Sequence, residues 1–402
     1  MTEHDTADAR PAIRLKPKAN VRAIRRGAPW VFDNELVLDR RTKKLAPGTL
    51  AVLEDAERQP LGLVGVNPNS RITARMLDAD SAARIDADWF AARLSKALSL
   101  RERLYDAPYY RLVHAEADGL PGLVVDRFGD TCVLQPNAAW LDRLETPLVE
   151  ALVAVTGVTT VLKNASGRGR ALEGLDEADA VLRGAAPDAP VPVGMNEAIY
   201  MADLTGGQKT GLFYDQRDNH AFAARLAPGA RVLDVFSHVG GFALAALANG
   251  AANALCVDGS APALALAEEG ARRMGAQDRF TARRGDAFDV LEALHEDAAQ
   301  FDLVICDPPA FAPAKPALEK GLRAYERVAR LAAPRVAEDG YLVLCSCSHA
   351  ADLASFTGAC LRGIGRAGRR AQLIHTGQAG ADHPLMPQLA ESGYLKALFF
   401  RL

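Results

Sequence analysis

The stretch that most restricts how this chain can fold begins at Arg231, where RVLDVF is followed by SHVGG, FALAALANGA and NALCVD. An apolar run, a tight glycine turn, an Ala- and Leu-rich helical run and a second apolar run make the strand–turn–helix–strand unit from which doubly wound parallel sheets are built. Such a sheet is covered by helices on both faces and takes its ligands in the crevice at the carboxyl ends of the strands. Three acids fall at such ends, Asp234, Asp258 and Asp307, and Asp286 in RRGDAFD adds a fourth. The expected class is α/β.

The glycine turn is informative through what it lacks. A dinucleotide fingerprint reads G-x-G-x-x-G, with backbone amides cradling a pyrophosphate at a helix N-terminus. Here the pattern is Asp234-x-Phe236-Ser237-x-x-Gly240-Gly241. A carboxylate in the last turn of the strand would repel a pyrophosphate but suits an ammonium group. S-adenosylmethionine carries that ammonium and no phosphate. Asp258, 24 residues after Asp234, can take both hydroxyls of an adenosine ribose, and Asp286 would face the adenine amino group. Singly, each acid reads as well as a helix N-cap or a surface charge. Their occurrence at successive strand ends is what favours the cofactor.

FDLVICDPPAF is apolar up to Asp307 and is stopped by Pro308 and Pro309. The two prolines make a stiff exit loop that can offer carbonyls and a carboxylate to a planar base. A later apolar run, YLVLCSCSH, ends in Cys345-Ser346-Cys347-Ser348. Carbon 5 of cytosine is too weak a nucleophile to take a methyl group unaided; a thiolate added at carbon 6 activates it. Cys347 is the candidate nucleophile, and Asp307 would hold the N3 edge of the base and stabilise the adduct. The competing reading makes Cys345 and Cys347 two small packing residues on one face of a core strand. Beside the DPP loop the catalytic reading is preferred. Cys132, Cys256, Cys306 and Cys360 lie in apolar contexts and are assigned to packing.

The rest of the chain sets the frame. With 402 residues, 49% hydrophobic and 24% charged, three folded domains are expected, bounded as 1–77, 78–190 and 191–402. The PDAPVP stretch marks the last boundary. Six cysteines without a Cys-x-x-Cys pair predict no structural metal and a reducing compartment. The acidic start MTEHDTADAR is unlike a signal peptide, and Asn249, Gly250 and Asn253 interrupt the longest low-charge run, so a cytoplasmic protein without membrane spans is expected. A formal net charge of −3 gives no global reason to expect nucleic acid, but residues 10–44 carry a local balance of +8. Lys16, Lys18, Arg22, Arg25 and Arg26 are candidate phosphate contacts there, against the blander reading of a solvated face. Short β-like runs at 49–53, 61–66 and 72–77 follow, then a helix over 86–104 and a strand–turn–strand–turn–strand pattern before the run Trp140 to Val155.

RLKPKANVRAIRRGAPWVFDNE resembles a PUA domain, a small β barrel found on RNA-modifying enzymes. The order of all these segments, with RLVHAEADGLPGLVVDRFGD, GGQKTGLFYDQRDN at 206–219, LDVFSHVGGFA, DPPAF, SCS at 346–348 and ADHP at 381–384, resembles the large-subunit ribosomal RNA cytosine carbon-5 methyltransferases that carry an N-terminal PUA domain. The resemblance implies a C-terminal Rossmann-like class I methyltransferase domain, an N-terminal PUA-like β barrel and a small α+β middle domain. It implies S-adenosyl-L-methionine as cofactor, with Lys209, Thr210, Asp215 and Gln216 in the stretch packing over it. Asp234, Phe236, Ser237, Gly240, Asp258, Asp286 and Asp307 fall at its cofactor positions, and Cys347 at its nucleophile. Large-subunit rRNA or an assembly intermediate is the implied partner, with a homodimer left open. Two positions depart from the family pattern: Ala310 where the loop usually reads DPPKF, and His349 where SCSG is usual. His349 reads as a solvent-facing side chain rather than a proton carrier. A related guanine N7 branch shares the TGLF segment and the DPP loop but lacks the SCS cysteine; a silent RNA-binding assembly factor is the third reading. Cys347 discriminates against the first, and an intact cofactor pocket against the second.

Overall fold

A computed structural model describes residues 10–206 and 211–402, which form two compact units. One comprises the residues up to Ala186 together with Asp382–Ser392; the other comprises Pro187–Ala381 and Gly393–Leu402.

In the first unit, Thr49–Glu54, Pro60–Val66 and Ala74–Asp78 pair antiparallel in succession. Ala12–Arg14 adds parallel to the first of these and Trp30–Val31 antiparallel to the last. Alternation along the strands sends Ile13, Ala51, Leu53, Val64 and Val66 into one small core. Lys16, Lys18, Arg22, Arg25 and Arg26 are all exposed on the turn and short helix Val21–Arg25 beside this sheet. Two of them make local bonds: Lys16 to the Asn34 carbonyl, and Arg25 to Asp55 at 3.4 Å.

A second five-stranded sheet follows, ordered Ala180–Arg183, Thr160–Lys163, Thr131–Pro136, Leu123–Phe128, Tyr109–His114. Helix Ala87–Leu104 packs on it because Phe90, Leu94, Ala97, Leu98 and Arg101 repeat at three- and four-residue spacing along one face. Asp86 caps its start by accepting from the Trp89 amide. Phe90 stacks on Trp140 at 5.9 Å, and Leu63 and Leu77 of the first sheet enter the same core.

The second unit opens with a hairpin, Val191–Met195 and Ala198–Ala202, turned at Asn196 and Glu197 with positive φ. Seven strands then make one sheet: β1 (Arg231–Val235), β2 (Asn253–Asp258), β3 (Phe280–Arg284), β4 (Phe301–Cys306), β5 (Val336–Ser346), β6 (Gln372–Gly377) and β7 (Lys396–Arg401). Their order is β3-β2-β1-β4-β5-β7-β6, with only β7 antiparallel to its neighbours. Helices cover both faces, as a parallel sheet requires: Leu233, Val235, Val304 and Leu342 pack to one side, and Val232, Leu303, Ile305 and Val343 to the other. The winding reverses between β1 and β4, so the carboxyl ends of these two strands flank the crevice where ligands bind. Among the described residues no helix is long and apolar enough to cross a membrane, and no cluster of metal-ligating side chains occurs.

Candidate active site

β1 delivers Asp234 to the crevice, and the chain then turns sharply through Phe236 and His238, both with positive φ, and through Gly240 at φ +79°. Side-chain-bearing residues in that region cost of order 1–3 kcal/mol each and persist only where the surroundings hold them. Here Asp258, at the end of β2, accepts the His238 amide on one oxygen (2.9 Å) and the Ser260 amide on the other (2.8 Å). The Ser237 amide donates to the Val257 carbonyl at 3.1 Å. Glycine is required at 241 for a different reason, since a Cβ there would lie 2.7 Å from the His220 ring.

Asp234 is 1% exposed. One of its oxygens accepts the Ala243 amide at the start of helix Gly241–Ala248; the other has no partner among the described residues. Burial pushes its pKa up to about 8, and the neighbouring carboxylates Asp307 and Asp258 push the same way. The Ser237 hydroxyl and Nδ1 of His220 are likewise buried without partners among the described residues. All three face one pocket, with Gln216, Phe236 and Asp307 also in its wall. An acid with an orphaned oxygen, a hydroxyl and an imidazole nitrogen fit the ammonium and carboxylate of a methionine moiety, and the buried imidazole stays neutral with its pKa lowered to about 3. The residues present therefore fit S-adenosylmethionine.

At the end of β4, Asp307 accepts from Gln216 Nε2 at 2.9 Å, and Gln216 is itself held by Asn219 at 2.6 Å. Asp215 accepts the Tyr394 hydroxyl at 2.6 Å. Phe236, Phe288 and Phe311 form an aromatic wall with centroids 6.3–6.4 Å apart. Asp286 is exposed and caps helix Ala287–Glu296, accepting the Phe288 and Asp289 amides. Lys209 and Thr210 lie outside the described residues.

The SCS turn at the end of β5 is pinned from both sides. Tyr325 links the hydroxyls of Ser346 (2.9 Å) and Ser348 (2.7 Å), and Ser348 Oγ accepts the Ala312 amide of the loop following Asp307 at 2.9 Å. That last bond joins the cysteine turn to the DPP loop. Cys132, Cys256, Cys306, Cys345 and Cys360 are buried; Cys347 alone is partly open to solvent. His349 is exposed near Tyr394, and Ala310 is exposed in the DPP loop. Two residues escaped the sequence reading: His220, a single histidine in a helix, and Lys396, a single lysine ahead of an apolar strand.

Comparison with known proteins gives three results. Residues 165–401 match the family described as S-adenosylmethionine-dependent methyltransferase, and residues 13–79 match a PUA-like domain. The Ribosomal RNA large subunit methyltransferase I of Shewanella denitrificans is 33% identical over 394 residues, covering 97% of this chain and 99% of its own. The Ribosomal RNA large subunit methyltransferase of Deinococcus radiodurans is 34% identical over 412 residues, with 98% and 99% covered. Among solved structures, a Streptococcus mutans chain described as a candidate SAM-dependent methyltransferase superposes with a TM-score of 0.81 over 98% of this chain and all of its own, at 18% identity. A methyltransferase structure solved with SAH gives the same figures, TM-score 0.81 and 18% identity. At that identity the likeness speaks for the fold.

Proposed function

This chain belongs to the S-adenosylmethionine-dependent methyltransferases that carry an N-terminal PUA-like domain, and from that premise we propose that it methylates carbon 5 of a cytosine in large-subunit ribosomal RNA, with Cys347 as nucleophile. The names of its full-length relatives support the rRNA substrate, and a cytoplasmic site of action is part of the same proposal. The base and mechanism rest on one observation: the only cysteine that escapes burial stands on a turn bonded to the DPP loop through Ser348 and Ala312.

The Cys347 thiol gives up its proton, and the thiolate adds to carbon 6, pushing the 5,6 double-bond pair onto carbon 5. What bound S-adenosylmethionine supplies is an electrophilic methyl group for that carbon. Loss of the carbon 5 proton then restores the double bond and expels the thiolate. Asp307, steadied by Gln216, is assigned the N3 edge of the base. Asp234, Ser237 and His220 are assigned the methionine moiety, and Asp258 and Asp286 the adenosine. Residues 1–77, 78–190 and 191–402 are assigned RNA holding, connection and catalysis. Lys16, Lys18, Arg22, Arg25 and Arg26 contact phosphates in this reading. Replacing Lys18, Arg22 and Arg26 by Ser should lower the slope of log affinity against log salt by about 2.

The test incubates the protein with labelled S-adenosylmethionine and protein-stripped large-subunit rRNA, then identifies the labelled nucleoside by mass spectrometry. Labelled 5-methylcytidine is expected, and Cys347→Ala should lose at least about a thousandfold in rate while binding cofactor normally. Labelled 7-methylguanosine, or full activity in Cys347→Ala, would reject the covalent cytosine reading.

A further inference from the structure

Strands β5 and β7 pair antiparallel with Ser346 opposite Lys396, which brings this lysine beside the turn that carries Cys347. Lysine seldom occupies such a position. Lys396 is 9% exposed, and its ammonium donates to the Ser348 carbonyl at 2.7 Å and to the Tyr394 carbonyl at 2.9 Å. Both acceptors are neutral. Those bonds satisfy donors without neutralising the charge, and a half-dehydrated charge needs an anion nearby. The titratable groups facing this corner come from each element around it. Tyr325 of helix Leu318–Ala332 is tied up by Ser346 and Ser348; Asp352, the exposed cap of helix Leu353–Arg366, accepts the Ser355 amide; Tyr394 donates to Asp215; His349 lies against Tyr394. Burial pulls the pKa of Lys396 down, and negative charge at Cys347 and then at Asp352 pulls it back. Of these two, Cys347 belongs to the turn that the ammonium itself clamps.

We propose that the Lys396 ammonium is the counter-charge of the Cys347 thiolate, a positioning residue that fixes the SCS turn and lowers the proton affinity of the nucleophile. This rests on the reading of Cys347 as nucleophile given above. The thiol proton leaves to solvent before attack, Lys396 keeps its three protons throughout, and the expelled thiolate returns to the same ammonium. A cation serves this purpose only when it is rigid and partly dry, because water would screen it. Burial and two carbonyl bonds supply both conditions.

The test is alkylation of the native protein by iodoacetamide between about pH 6 and pH 10, read by intact mass. The other five cysteines are buried, so the label reports Cys347, and Cys347→Ser sets the background. The wild-type rate should reach half its maximum well below the ordinary thiol value of about 8.5. Lys396→Met should raise that midpoint by about one pH unit and slow labelling at neutral pH about tenfold, with Lys396→Arg restoring most of the loss. A wild-type midpoint at or above the ordinary thiol value overturns the proposal even if Lys396→Met cannot be folded, and so does an unmoved midpoint in that variant. Alkylation needs neither RNA nor cofactor. An active Cys347→Ala would therefore sink the catalytic reading separately, leaving the charge pairing to be judged on the midpoints.

Discussion

The two units each bury a cluster of charge, and they complete it differently. In the first, Arg101 is wholly buried, grips both oxygens of Asp118 at 2.7 Å, and donates to the Asp382 carbonyl at 2.8 Å and the Arg111 carbonyl at 2.9 Å. Asp382 in turn accepts the Arg111 amide at 3.0 Å and meets His383 at 2.8 Å. None of these residues has a buried polar side-chain atom left without a partner among the described residues. In the second unit Asp234, Ser237 and His220 are about as deeply buried, yet each keeps one polar atom unmatched among the described residues. A buried polar atom without a partner costs about 1–3 kcal/mol. Three of them around one pocket are a cost that a ligand bound there would remove, whereas the Arg101 cluster shows no such buried unmatched atom among the described residues. On the proposed reading, the contrast separates charge that builds the fold from charge that binds.

Removing one partner from the complete cluster should have the largest effect. Arg101→Met strands Asp118 and a buried carbonyl, and urea unfolding should show a loss of about 3–5 kcal/mol with the affinity of the folded protein for SAH unchanged. Asp234→Asn should do the reverse. The amide can still accept from Ala243 but cannot pair with an ammonium, so calorimetry should show SAH affinity falling about a hundredfold. Stability without ligand should not fall. The native pKa of Asp234, about 8, lies above the unfolded value of about 3.9. Between those values the native state holds a proton that the unfolded state has lost, so wild-type stability without ligand declines as pH rises through that window. The Asn variant should lack this decline; if it is instead destabilised at pH 8, the unmatched oxygen was never a cost.

The same contrast explains what could be read from the sequence. β1, β2 and β4 were legible because a doubly covered strand must be an unbroken apolar run, and Asp234, Asp258 and Asp307 stand where those runs stop. The return of Asp382–Ser392 to the first unit was not legible. It is decided by Arg101 and Arg111, which lie 281 and 271 residues earlier, and no local pattern records such a bond. His220 was missed for a related reason: its place in the pocket depends on Gly241 across the turn, which leaves room for the ring. Lys396 precedes an apolar run, where a lysine ordinarily marks a solvated strand end. Asp286 shows how two readings coincide, since the residue proposed for adenine also caps a helix.

The smallest expected effect tests the contrast most finely. An ammonium ligand pairs with the carboxylate form of Asp234, but with a pKa near 8 that group is mostly protonated at pH 6. Binding must then expel a proton, and affinity climbs with pH by up to tenfold for each unit below the pKa. Asp258 and Asp307 hold the proton on Asp234 more firmly by their own negative charge. SAH titrations should therefore strengthen about fiftyfold between pH 6 and pH 8 in the wild type, keep that slope in Arg101→Met, and be flat in Asp234→Asn. A flat wild-type profile would mean that the Asp234 carboxylate is ionised before the ligand arrives, already matched by a cation, and the pocket would then be as complete as the cluster around Arg101.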